Sequence, residues 1–197
     1  TVTDGMALAA IEGATVTAEW DAGGSWNQDT DASGYYTMTL PNGTFTVSVD
    51  HPLYTSVEVY GVAVTTDTVT TQDFVMQPKG RLYGYVTDFD NGFPLEATVT
   101  ADDGTMSYTD PATGYYEMYL DEGSYVVTAS AEDYADGMAT VDIVSGEDTQ
   151  RDFALKAAVV FMPTPLHVTL DWQTTDTADA TLMNRMVEPY DFEFVEI

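Results

Sequence analysis

The sequence predicts an all-β protein: two tandem antiparallel β-sandwich modules followed by a C-terminal β tail. Three observations carry this. Apolar and polar residues alternate at a spacing of two along most of the chain, the mark of half-buried strands. One string of turns and strands is written twice. Thr, Val and Tyr are frequent, and almost no stretch has the 3.6-residue period of a helix.

The repeat is clearest around Thr109-Asp110-Pro111-Ala112-Thr113-Gly114. After this turn Tyr116, Met118 and Leu120 share one strand face. A second turn, Asp121-Glu122-Gly123, leads to Tyr125 and Val127 on a return strand. The earlier copy runs Thr30-Asp31-Ala32-Ser33-Gly34, then Tyr36, Met38 and Leu40, then Pro41-Asn42-Gly43, Phe45 and Val47. Both copies read as a β-hairpin, at an offset of about 79 to 80 residues.

The remaining elements follow in order. Val2-Thr3-Asp4 matches Val86-Thr87-Asp88, but Gly80-Arg81-Leu82-Tyr83-Gly84-Tyr85 precedes the second copy while the first starts at Thr1. A longer parent chain or a short first strand would explain that. Met6 to Glu12 and Phe89 to Glu96 read as loops. Ala14, Val16, Ala18 and Trp20 alternate as a strand, repeated by Ala97, Val99 and Ala101. Asp21 to Asp29 reads as a Gly-bearing turn, and Val49 ends the hairpin. His51-Pro52-Leu53-Tyr54 breaks the pattern, and Val57, Val59, Val62 and Val64 resume it. Phe74 and Phe153 sit in the closing strands. Gln77-Pro78-Lys79-Gly80 is a short, Pro-stiffened linker, expected to hold the modules end to end. Leu166 to Trp172, Leu182, and Tyr190 to Phe194 suggest two or three strands, too few to bury a core alone. The expected domains are residues 1–78, 79–156 and 157–197.

Composition narrows the function. Five Lys and Arg stand against 33 Asp and Glu, a formal charge of −28. Such a surface repels phosphate, so nucleic acid and anionic membranes are not expected partners. It attracts cations and basic partners, and it also keeps a β-protein dispersed. The absence of cysteine removes disulfides and thiolate sites and favours a prokaryotic source. No apolar run reaches the roughly 18 residues of a membrane span; the longest, Ala157-Ala158-Val159-Val160-Phe161-Met162, is strand-sized. No signal segment follows Thr1, so export would require a leader removed or lying upstream.

The repeat resembles the carboxypeptidase regulatory-like family, a small transthyretin-like sandwich appended to many secreted bacterial proteins. In the second copy the resemblance rests on Gly84-Tyr85-Val86-Thr87-Asp88, Pro94-Leu95-Glu96-Ala97-Thr98-Val99, Gly114-Tyr115-Tyr116 and Asp152-Phe153-Ala154-Leu155. In the first it rests on Gly13-Ala14-Thr15-Val16, Gly34-Tyr35-Tyr36, Gly43-Thr44-Phe45-Thr46-Val47 and Asp73-Phe74. The tail, through Pro165-Leu166-His167-Val168-Thr169-Leu170 and Tyr190-Asp191-Phe192-Glu193-Phe194, looks like the opening of an Ig-like domain, though Asn184-Arg185-Met186-Val187 lacks the expected Gly turn. The resemblance implies a non-catalytic accessory on a secreted or cell-surface protein. The family's name does not imply an activity.

No residue pattern carries catalysis. His51 and His167 lack a neighbouring acid at metal-ligand spacing, and neither lies near a serine elbow. No catalytic or cofactor-binding residue is assigned, and no cofactor is required. Asp88, Asp90 and Asn91, before Gly92, form the best calcium candidate, with three oxygen side chains close together in a loop. The same residues suit an Asx turn, the favoured reading. Asp29 with Asp31, and Asp102 with Asp103, are weaker candidates. Outward Tyr35 and Tyr115 could stack sugars or line an interface, but cross-strand packing on the sheet face is the favoured reading. Asn42-Gly43-Thr44 fits both a glycosylation acceptor and a hairpin turn.

The leading functional expectation is an extracellular structural or adhesive repeat protein, with copies of itself as partners in a surface filament joined by β-strand complementation. The alternative is an accessory binding module of a secreted peptidase or glycosidase, one domain of a longer chain. A third is a cation or basic-partner trap, whose binding would collapse with salt.

Overall fold

A computed structural model describes residues 1–162 and 181–184, and the side chains through residue 158. The described residues contain no α-helix. By compactness the chain divides into two units. One comprises Thr1–Leu82 with Tyr119–Ser124 and Asp142–Thr149; the other comprises Tyr83–Met118, Tyr125–Val141 and the chain from Gln150.

In the first repeat β1 (Val2–Asp4) pairs in parallel with β6 (Phe74–Met76). A four-stranded antiparallel sheet has β2 (Thr15–Trp20) between β3 (Ser25–Asp29) and β4 (Gly43–His51), with β5 (Tyr54–Val64) outside β4. Alternation turns one face of each strand inward. Ala14, Val16 and Ala18 therefore meet Phe45, Val47 and Val49, and Val2, Ile11, Phe74 and Met76 close the core. Trp20 stacks on Phe45 at 6.3 Å and Trp26 meets its edge at 5.9 Å. Between the pairs Val47↔Val59 and Phe45↔Val62, β5 advances three residues while β4 advances two. Gly61, at φ 74°, lies in this bulge. The extra residue returns Val62 and Val64 to the face of Val57 and Val59.

The second repeat has the counterpart sheet β12 (Gly137–Ile143), β11 (Gly123–Ser130), β8 (Thr98–Ala101) and β9 (Met106–Tyr108). Its other sheet is fuller. β7 (Gly80–Asp88) lies between β10 (Tyr115–Leu120) and β13 (Asp148–Gln150), and its end pairs in parallel with β14 (Phe153–Leu155). The register Phe153↔Val86, Ala154↔Thr87, Leu155↔Asp88 repeats Phe74↔Val2, Val75↔Thr3, Met76↔Asp4. Beyond it, β15 (Val159–Met162) pairs antiparallel with β16 (Thr181–Asn184). Leu182 thus lies in a strand. The other strands expected in the tail, through Leu166, Trp172, Tyr190 and Phe194, lie outside the described residues.

Three expectations are corrected. The Asp21 to Asp29 stretch is not all turn: residues 25–29 form β3, and β9 is its counterpart. These short edge strands are mostly exposed, and neither carries the run of alternating buried apolar residues that reveals a strand. The central "hairpin" is not one: β10 and β11 belong to different sheets, so the turn between them crosses the sandwich. Two alternating strands can bury their apolar faces by facing each other as readily as by pairing. In the first repeat, residues 35–40 form no strand at all.

Candidate functional site

The two repeats share a set of hydrogen bonds that hold the same loops on the same strands. Thr30 Oγ1 donates to Ile11 O (2.7 Å) and accepts from Ala14 N–H (2.9 Å). Thr109 Oγ1 does the same with Leu95 O (2.7 Å) and Ala97 N–H (2.8 Å). The Tyr36 hydroxyl donates to Gln72 O at 2.6 Å, and that of Tyr116 to Arg151 O at 2.6 Å. Burial, assisted by nearby Asp73, pushes the Tyr36 phenol up to about 12. Burial raises Tyr116 as well, with Asp152 beside it. The nitrogen of Thr1 donates to Asp73 Oδ1 (2.5 Å), and the amide of Tyr85, at the matching place, to Asp152 Oδ1 (2.9 Å).

Asp88 belongs to this shared set. Its Oδ1 accepts from the amides of Asp90 (2.7 Å) and Asn91 (3.2 Å), and its Oδ2 from the Tyr134 hydroxyl (2.7 Å). Asn91 Oδ1 accepts from the Phe93 amide at 2.8 Å. The loop is an Asx turn anchored by a tyrosine. The bond from Tyr134 leads the causes that hold the Asp88 carboxyl below its usual range, and the same bond raises Tyr134 to about 12. Asp4 repeats the arrangement with Met6, Ala7 and Tyr54. Among the described residues no three Asp, Glu or His side chains are gathered as a metal cluster. Asp29 accepts from Thr15 Oγ1 at 2.8 Å, and Asp31 accepts from the Ser33 and Tyr35 amides. Asp103 bonds Thr105 within its own turn.

His51 lies at the turn after β4, where its Nδ1 accepts from the Leu53 amide (3.2 Å) and its ring meets the edge of Tyr54. Burial holds its pKa below the ordinary value. His167 lies outside the described residues. Tyr115 packs against Tyr85 at 5.6 Å and Tyr83 at 6.5 Å, which is packing along one sheet face. Tyr35 stands 53% exposed.

The difference between the repeats lies beside Tyr35. A groove of about 540 Å³ is lined by residues 35–40 on one side and 64–72 on the other, with Val47 and Val62 at its base. Residues 35–40 and 65–72 form no strand. In the second repeat the counterpart flanks are β10 and β13, and both pair with β7. Residues 80–85 of β7 lie between those flanks, and the positions matching them in the first repeat run up to Thr1, which itself lines the groove. Burial follows the same contrast. Tyr116, Met118 and Leu120 are 1%, 4% and 1% exposed, whereas Tyr36, Met38 and Leu40, the same residue types, are half-buried. Val141 and Ile143 are buried, and Val62 and Val64 half-buried.

Residues 1–77 match the family model of the carboxypeptidase regulatory-like domain. The residues lining the groove lie wholly within that matched stretch. No curated protein matches the chain. Among solved structures, the chain is similar to a minor pilin of Streptococcus agalactiae at 15% identity and a TM-score of 0.41, covering 86% of this chain and 98% of that one. It is also similar to a streptococcal ancillary pilin at 12% identity and a TM-score of 0.41, covering 79% of this chain and 61% of that one. The shaft pilin SpaA of Lactobacillus rhamnosus GG gives 11% identity and a TM-score of 0.32, covering 75% and 88%. Likeness at this level says nothing about function.

Proposed function

We propose that this chain is a non-catalytic structural repeat protein of the prokaryotic cell surface, and a subunit of a filament joined by β-strand complementation. We take its modules as residues 1–78 and 79–156, with a tail of 157–197. One observation carries the reading: one sandwich module is written twice in tandem, and the second copy repeats the strand register and loop anchors of the first. Tandem β-modules present sheet edges, and an edge can take up a strand from a neighbouring subunit through backbone hydrogen bonds. The described residues contain no helix long and apolar enough to cross a membrane. The second reading is an accessory module of a secreted peptidase or glycosidase, favoured by the family match at residues 1–77.

Negative-stain electron microscopy of material from the natural source separates the two. Long filaments with a regular repeat are expected. Dispersed particles attached to a catalytic domain would establish the accessory reading instead. Calcium at Asp88, Asp90 and Asn91 is tested separately by titration calorimetry. With the Asp88 oxygens already accepting three hydrogen bonds, the expected result is neither binding heat nor a calcium-dependent shift in melting. Micromolar binding abolished by Asp90→Asn would reverse that expectation.

A further inference from the structure

We propose that this chain bears tension, and that the load in each module falls on the parallel pair formed by its entering strand and its leaving strand. The second module is the clearer case, with chain on both sides of it. That tension acts in the organism rests on the structural reading above. The resistance to it rests on topology.

The second module is entered through β7 and left through β14. These strands run parallel in the register Phe153↔Val86, Ala154↔Thr87, Leu155↔Asp88. Tension along the chain draws β7 back toward its beginning at Gly80 and β14 forward toward its end at Leu155. In a parallel pair those pulls are opposed along the strand axis. The strands must slide past each other, and the hydrogen bonds between them take the load together. In an antiparallel pair both pulls would act at one end, and the bonds would open one after another. The first module repeats the parallel arrangement from Val2↔Phe74 to Asp4↔Met76.

The partners of each strand prevent an easier release. β7 is also paired with β10 on its other side. The amide of Phe89 donates to Leu155 O at 2.8 Å, just past the end of both strands. Beyond β14 the chain is tied to a further segment. Ala135 N–H donates to Lys156 O (2.9 Å), and Ala158 N–H to Asp133 O (2.7 Å). Thr55 N–H to Gln77 O (2.8 Å) and Lys79 N–H to Leu53 O (2.9 Å) repeat that tie after β6. Packing opposes the slide as well. Val86, Phe153 and Leu155 are buried, and a slip of one residue would turn the apolar face of β7 outward. A slip of two would bring Val86 to the place of Gly84, where a Cβ lies 1.9 Å from Arg151 O. That oxygen belongs to the backbone and cannot rotate aside.

The test pulls on the same pair in two directions. The chain has no cysteine, so two introduced thiols fix where force is applied. Lys79→Cys with Lys156→Cys places the handles at opposite ends of the β7–β14 pair and shears it. Asp90→Cys with Lys156→Cys places them at the same end and peels it. None of the three positions is buried, and Lys156→Cys is common to both variants. Optical-tweezers unfolding of the full chain at one loading rate is expected to need at least about twice the force in the shearing geometry. The released length, about 3.5 Å for each residue between the handles, identifies the module that ruptures. Equal forces, or a greater force in the peeling geometry, would overturn the proposal. So would a force difference accounted for by a lower urea midpoint of the peeling variant. These outcomes are separable from the filament reading. A twofold ratio in a chain that microscopy shows only as dispersed particles would keep the load-bearing pair and discard the filament. Filaments built of modules with equal forces in both geometries would keep the filament and discard the pair.

Discussion

Gly84→Ala is expected to destabilise the second module by about 3 kcal/mol or more, a large share of a small domain's stability. The added methyl would sit 1.9 Å from Arg151 O and 2.6 Å from the carbon of that carbonyl. Both are backbone atoms, so no rotamer change relieves the clash. β7 is hydrogen-bonded on both sides, to β10 and β13, and cannot shift away from one without breaking from the other. Urea unfolding followed by far-ultraviolet circular dichroism measures the loss, and hydrogen exchange should show β7 and β10 losing protection first. A change below about 1 kcal/mol would mean that the strand has room there.

Asp4→Ala is the second large effect, expected to cost the first module about 2 kcal/mol at neutral pH. Asp4 accepts from the amides of Met6 (2.6 Å) and Ala7 (2.7 Å) and from the Tyr54 hydroxyl (2.9 Å). Its removal leaves three donors near a buried position without that acceptor. The effect depends on pH, because Asp4 works as a carboxylate. Burial pushes its carboxyl up, but the bonds from Ala7, Met6 and Tyr54 together outweigh this and leave it below the ordinary 3.8. A carboxyl that titrates lower in the folded chain adds stability that is fully present above the unfolded value. That stability is lost as pH falls through the folded value. The gap between wild type and Asp4→Ala should therefore be widest above about pH 5 and shrink in stronger acid. A gap independent of pH would show that the bonds do not need the charged form.

Much of the fold was readable because its strands have one wet and one dry face. Ala14, Val16 and Ala18 against Phe45, Val47 and Val49 is a pattern of period two in both directions, and it built β2 and β4 as expected. The Asp88 loop was readable as an Asx turn for a similar reason: Asp and Asn can bond amides two or three residues on, without help from the rest of the fold. The Tyr134 hydroxyl that completes it lies 46 residues away and left no local trace. The short edge strands β3 and β9 were missed because they are mostly exposed, so neither carries a run of alternating buried apolar residues.

By itself the sequence determined the strand class, the duplication, the turn chemistry and which face of each strand is apolar. All of these are local properties of side chains at a spacing of two or within one turn. Only the tertiary structure decided which strand each face meets. Tyr116, Met118 and Leu120 point inward whether β10 pairs with β11 or faces it across the sandwich, and the pattern is the same in both cases. The parallel pairs Val2↔Phe74 and Val86↔Phe153 are another instance, since each joins strands far apart in the chain and neither strand's own residues name the partner. A strand exists only when a partner backbone accepts its hydrogen bonds, and that partner is fixed by distant parts of the chain rather than by the strand's own residues.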